Sequence, residues 1–187
     1  IKEIQRKLKV KTQETEKGKW ILGRGWDQDC LRERRYPTRW DLDKVSLDNP
    51  VLLNRVCGHI GVANSRALKI ANIYKETAAS WGEMVDKDPT TGEPTGILRE
   101  NAMDMVWNLP EPSEEDLLKA CHMACMEAVK AGLTSVHWFA YKPNEIRALQ
   151  RLRKRNQLPL RVYLVIPMEY LETVKNDCFY IKLRYFK

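Results

Sequence analysis

An alternation of helix and strand in the C-terminal part of the chain constrains the fold more than any other feature. Ser113 with Asp116 three residues later forms a capping arrangement. A helix follows over about 114–130, with Leu117, Leu118, Cys121, Ala124, Cys125 and Ala128 on one side, and Gly132 is its natural stop. Residues 133–139 read as a strand. Residues 144–156 form a strongly basic helix with Ile146, Leu149 and Leu152 as its apolar stripe, and 160–166 form a second, buried strand. A short helix near 169–174 and a last strand over 179–187 complete the run. This rhythm predicts βαβ units and a parallel sheet. Right-handed crossovers would place all the helices on one side of consecutive strands, as in part of a (β/α) barrel. At 187 residues the chain is too short for a complete barrel, which needs about 250.

The first 110 residues have a different texture. Ile1, Ile4 and Leu8 recur at helical spacing until Gly18 intervenes. Residues 20–23 read as a short buried strand. Gly23 and Gly25, with Arg24 and Trp26, read as a turn where the backbone approaches something closely. Asp48-Asn49-Pro50 signals a turn before a strand at 51–53. A segment from Cys57 to Ser65 runs into a helix over 66–71. The polar loop 86–94 separates 83–85 from 95–98 as the two arms of a hairpin.

Composition excludes several classes. With 43% hydrophobic and 30% charged residues the chain is globular rather than disordered. No apolar run approaches the roughly 20 residues that span a membrane. The five cysteines are odd in number and contain no Cys-x-x-Cys, so neither a disulfide framework nor a zinc site is expected. Cys121 and Cys125 read as buried small hydrophobes. The formal charge is +7, and residues 142–187, with 11 basic and 4 acidic side chains, account for all of it. Arg147, Arg151, Arg153, Lys154 and Arg155 lack the interleaved aromatics of nucleic-acid modules, and a solvated outer helix explains them better. No Walker sequence, Gly-x-Ser-x-Gly or His-Glu-x-x-His occurs. The chain begins in mid-pattern without Met, as a cut terminus would.

Four pieces in fixed order carry a family resemblance. They are Trp20-Ile21-Leu22-Gly23-Arg24-Gly25-Trp26-Asp27, Cys57-Gly58-His59-Ile60-Gly61-Val62-Ala63-Asn64-Ser65-Arg66-Ala67-Leu68, Gly92-Glu93-Pro94-Thr95-Gly96-Ile97-Leu98-Arg99-Glu100, and Gly132-Leu133-Thr134-Ser135-Val136-His137. Together they resemble amidohydrolase family 3, the YtcJ-like and AepA-like metal-dependent hydrolases, over nearly the whole chain. The resemblance implies a fold class of α/β: a partial TIM-type (β/α) barrel segment at 111–187, with an inserted α+β subdomain at 1–110. It implies zinc or another divalent metal in the parent protein. The His-x-His pair of the family's first barrel strand is absent here, and His59, His122 and His137 stand apart in sequence. No metal is therefore expected on this fragment, and the fragment alone is expected to be inactive. Leu183-Arg184-Tyr185-Phe186-Lys187 resembles the strand whose lysine, when carboxylated, bridges two metals, which makes Lys187 the metal candidate.

Four further residues are candidates for substrate contact. His59 can face the substrate or bond the backbone at a helix start. Asp27, beside Gly25, can reach into a cleft or remain a solvated turn carboxylate. Glu100 follows a hairpin strand. His137 ends a parallel strand, where barrel enzymes keep their chemistry, or packs as a core imidazole next to Trp138. Asn64-Ser65 reads as a helix cap, and His122 as a structural residue. The implied activity is hydrolysis of C–N bonds in small amide-type substrates by a cytoplasmic protein, with no nucleic acid or membrane partner. Open barrel edges make a homodimer conceivable. The alternatives are a non-catalytic regulatory or binding module and a basic nucleic-acid-binding domain.

Overall fold

The computed structural model describes residues 1–80, 84–107, 112–170 and 172. They form a mixed α/β chain of two compact units, Ile1–Glu111 and Pro112–Lys187.

The first unit is built on five strands: β1 (Ile21–Trp26), β2 (Val51–Arg55), β3 (Ile60–Ala63), β4 (Val85–Lys87) and β5 (Pro94–Arg99). Their order across the sheet is β1-β2-β3-β5-β4. β1 runs parallel to β2, and the other neighbours are antiparallel. Both faces are covered, which is why Val51-Leu52-Leu53 is apolar without alternation. Leu52, Ala63 and Leu98 pack with Ala67, Leu68, Ala102 and Val106, which lie on α3 (Ser65–Ile70), a 3-10 turn (Glu100–Met103) and α5 (Asp104–Trp107). Ile21, Val51 and Val62 pack on the other face with Leu8 of α1 (Lys2–Glu14) and Leu42 of α2 (Arg39–Asp43). The short α4 (Lys75–Ser80) precedes β4.

Two local expectations change here. Gly23 to Trp26 is strand rather than turn; the pairing slips between Arg24 and Trp26, and Gly25 at the slip takes φ +97°. Such a bulge needs the freedom of glycine. Residues 60–63, read only as an approach to a helix, form the central strand β3, because Ile60-Gly61-Val62-Ala63 sits between two partners. The helix after it begins at Ser65 on the Asn64 cap. Of the hairpin, β4 and β5 form an antiparallel pair, while Glu83 lies outside the described residues.

The second unit carries α6 (Glu114–Lys130), β6 (Ser135–Phe139), α7 (Pro143–Lys154) and β7 (Arg161–Val165). Ser113 caps α6 by accepting from the Asp116 amide. Gly132, at φ +81°, lets the Leu133 amide reach back to the Ala128 carbonyl at 3.0 Å. β6 and β7 are parallel, from Ser135 opposite Arg161 to Phe139 opposite Val165. Leu118, Cys121 and Cys125 of α6 and Ala148, Leu149 and Leu152 of α7 pack against Val136, Trp138, Val162 and Leu164. Both helices thus cover one face of the strand pair. The opposite face, with Ser135, His137, Phe139 and Tyr163, is exposed among the described residues. That corrects the reading of 160–166 as a buried strand, since Arg161 and Tyr163 are exposed. Only a 3-10 turn, Met168–Tyr170, is described of the helix expected near 169–174. The strand expected at 179–187, with Lys187, lies outside the described residues.

Candidate functional site

The sheet of the first unit brings separate sequence motifs to one edge. β1, β2 and β5 end there and β3 begins there. Asp27 follows β1, Arg55 ends β2, Cys57 and His59 lie on the β2–β3 connection, and Glu100 follows β5. Three of the four substrate candidates, Asp27, His59 and Glu100, therefore share one end of a single sheet.

His59 and Glu100 are joined twice. The Glu100 amide donates to the His59 carbonyl at 2.9 Å, which extends the β3–β5 ladder by one bond. His59 Nδ1 donates to Glu100 Oε2 at 3.1 Å, with both side chains well exposed. A carboxylate only accepts, so the proton sits on Nδ1 and Nε2 is the ring nitrogen through which His59 can meet a ligand. The Glu100 carboxylate holds the imidazole pKa above its ordinary value, chiefly through that hydrogen bond. Glu100 also adopts φ +47°, a left-handed conformation in which glycine would be unstrained. A glutamate kept there despite a cost of roughly 1 kcal/mol points to its side chain as the reason.

Asp27 is held rather than free. It accepts from Arg55 Nη2 at 3.0 Å and from the Asp29 amide at 3.1 Å. Arg55 Nε donates to Gln28 Oε1 at 2.8 Å. The Cys57 thiol is exposed, and the Arg55 side chain, then the His59 amide, holds its pKa below the ordinary thiol value. Arg55 and Cys57 were not among the candidates. The available signal was an arginine closing the Val-Leu-Leu-Asn-Arg strand shortly before the Gly-His pair.

His137 does not end its strand. It is the central residue of β6, on the exposed face, with its ring 5.1 Å from that of Tyr163. Neither the strand-end position nor the buried-core alternative describes it. His122 bonds the Gln157 carbonyl through Nδ1 at 2.9 Å, a structural role. Asn64 is fully buried: its Oδ1 accepts from the Ala67 and Val51 amides, and its Nδ2 donates to the Ser46 and Asn49 carbonyls. The Gly92–Glu100 motif is architectural before Glu100. A Cβ on Gly96 (φ +93°) would lie 2.9 Å from Arg39 Cβ and closer still to the Ala63 carbonyl oxygen. On α7, Arg151 pairs with Glu114, and the shallow recess of about 430 Å³ lined by Arg147, Gln150, Arg151 and Lys154 holds no acid–base cluster.

Among the described residues no three His, Cys, Asp or Glu side chains converge to hold a metal ion. No helix among them is long and apolar enough to cross a membrane.

The model of the amidohydrolase family matches residues 1–179. The chain belongs to the amidohydrolase family. It is 29% identical over 175 residues to the Bacillus subtilis (strain 168) protein that carries the name amidohydrolase YtcJ, covering 90% of this chain and 33% of that one. It is 34% identical over 124 residues to the N-substituted formamide deformylase of Arthrobacter pascens, covering 64% of this chain and 23% of the relative. The crystal structure of an uncharacterized metal-dependent hydrolase from Pyrococcus horikoshii OT3 superposes with a TM-score of 0.64 at 28% identity, over 94% of this chain and 33% of that one. The chain thus spans a third or less of these amidohydrolase relatives. The family likeness suggests a divalent metal in the whole protein. The described residues do not supply its ligand set.

Proposed function

We propose that the protein is a hydrolase of C–N bonds in small amide-type molecules, and that the sheet end carrying His59 and Glu100 faces its substrate. The observation that carries this reading is the exposed His59–Glu100 pair, formed by two motifs 41 residues apart and kept at the cost of a left-handed glutamate. A carboxylate that fixes the tautomer of an imidazole is a recurring way to present a nitrogen to a reacting molecule. Because Glu100 favours the charged ring, His59 donates from Nε2 to an acceptor such as a carbonyl oxygen. Its bond to Glu100 orients that donor. The relative named for N-substituted formamide deformylation supports an amide-type substrate.

The same reading makes α6-β6-α7-β7 part of a (β/α) barrel. Parallel neighbours with both helices on one face support it. His137 would then stand on the strand face turned away from the helices.

The test is amine release from a panel of N-substituted formamides and other small amides by the metal-loaded full-length protein. Turnover is expected, with kcat/KM lowered about 100-fold in His59→Ala and Glu100→Gln. No hydrolysis by the wild type overturns the activity, and unchanged turnover in both variants overturns the siting. Salt-sensitive binding of DNA or RNA at low salt would instead favour a nucleic-acid module.

A further inference from the structure

We infer that Arg55 is the positioning residue of the His59 loop: it ties the end of β1 to the end of β2 and so fixes where His59 meets Glu100. The consequence for turnover rests on the proposed function, whereas the positioning itself rests on the contacts alone.

Arg55 closes β2, and its side chain is only 17% exposed. Its guanidinium forks onto the residues that follow β1, with Nε to Gln28 Oε1 at 2.8 Å and Nη2 to Asp27 Oδ1 at 3.0 Å. The backbone joins the same two strand ends, because the Val56 amide donates to the Trp26 carbonyl at 3.0 Å. On its other side Arg55 holds the loop. Its carbonyl accepts from the Gly58 amide at 3.0 Å, closing the turn just before His59. His59 is thus held from β5 by Glu100 and from β1 through Arg55. A planar, five-donor guanidinium can serve these partners together, as a lysine ammonium cannot with the same geometry.

Positioning and simple charge predict opposite signs. Removing a cation near an imidazole favours the imidazolium and raises its pKa. Releasing the loop weakens the bond from His59 to Glu100 and lowers that pKa toward the ordinary value of about 6.5.

The experiment is an NMR titration of the histidine rings in full-length wild type, Arg55→Gln, Arg55→Lys and Asp27→Asn, with kcat and KM on the best amide substrate. The expected result is a fall of the His59 pKa in Arg55→Gln, little rescue by Arg55→Lys, and a smaller fall in Asp27→Asn. The fall persists in a Cys57→Ser background, which removes the thiolate's own pull on the ring. In the same variants kcat drops by up to about 100-fold while KM changes little. An unchanged or raised His59 pKa in Arg55→Gln overturns the inference. If Arg55→Gln does not fold, Asp27→Asn and Gln28→Ala each break one tie, and an unmoved His59 in both overturns it equally. A wild type that hydrolyses no amide defeats the proposed function, and the titration still decides the role of Arg55.

Discussion

Glu100 is bound to His59 through both backbone and side chain, at 2.9 Å and 3.1 Å, and it is the left-handed member of the pair. These features separate what its side chain does from what its backbone costs.

Glu100→Gly is expected to relieve the strain and leave stability within about 1 kcal/mol of wild type. It also removes the carboxylate, so the His59 pKa falls toward about 6.5. Thermal melts alongside an NMR titration check both. A variant that is both clearly destabilised and unmoved at His59 contradicts this account.

The pH dependence has a definite sign. Glu100 raises the His59 pKa in the folded protein, so the pair's stabilising effect is present below about pH 6.5 and fades as pH rises through the raised value. The Tm difference between wild type and Glu100→Gln should shrink between about pH 6 and about pH 9. A difference that grows over that range contradicts the pairing.

Asn64 makes four hydrogen bonds from a fully buried amide. Asn64→Ala strands the Val51 amide and the Ser46 carbonyl, leaves the Asn49 carbonyl only the Ser46 hydroxyl at 3.3 Å, and removes the α3 cap. The expected cost is about 3–5 kcal/mol in denaturant unfolding, since each buried group left unpaired costs roughly 1–3 kcal/mol. A loss under about 1 kcal/mol would mean that water replaces the side chain.

Two glycines with similar φ should respond differently to alanine. Gly25→Ala meets no atom within 4 Å and carries only the backbone penalty, about 1 kcal/mol. Gly96→Ala runs into Arg39 and the Ala63 carbonyl, so about 2–4 kcal/mol is expected. Equal losses in urea titrations would show that both α2 and the β3 backbone at Ala63 move aside.

Thiol labelling should separate the cysteines. Burial pushes the Cys121 thiol up to about 11 and also raises Cys125, while Arg55 lowers the exposed Cys57. Under native conditions an alkylating reagent near neutral pH should modify Cys57 and spare Cys121 and Cys125 until unfolding. Mass spectrometry of the modified peptides gives the order directly.

Much of the local structure was legible in the sequence. The helix at Glu114–Lys130, its Ser113 cap, its Gly132 stop, the buried cysteines and the parallel pairing of the strands after it all depend on short-range periodicity and capping chemistry. Asn64 as a cap is equally local. What tertiary structure alone decided was convergence. β3 has only four residues and gains its place from β2 and β5 on either side, so periodicity could not announce it. Gly25 is a bulge because β2 lies beside it. His137 is mid-strand, and among the described residues it is exposed because both helices pack on the other face. Asp27, the segment from Arg55 to His59, and Glu100 are separated by tens of residues, and nothing in their spacing brings them together. The ladder does, because a sheet aligns strand ends by backbone hydrogen bonds whatever the length of chain between them.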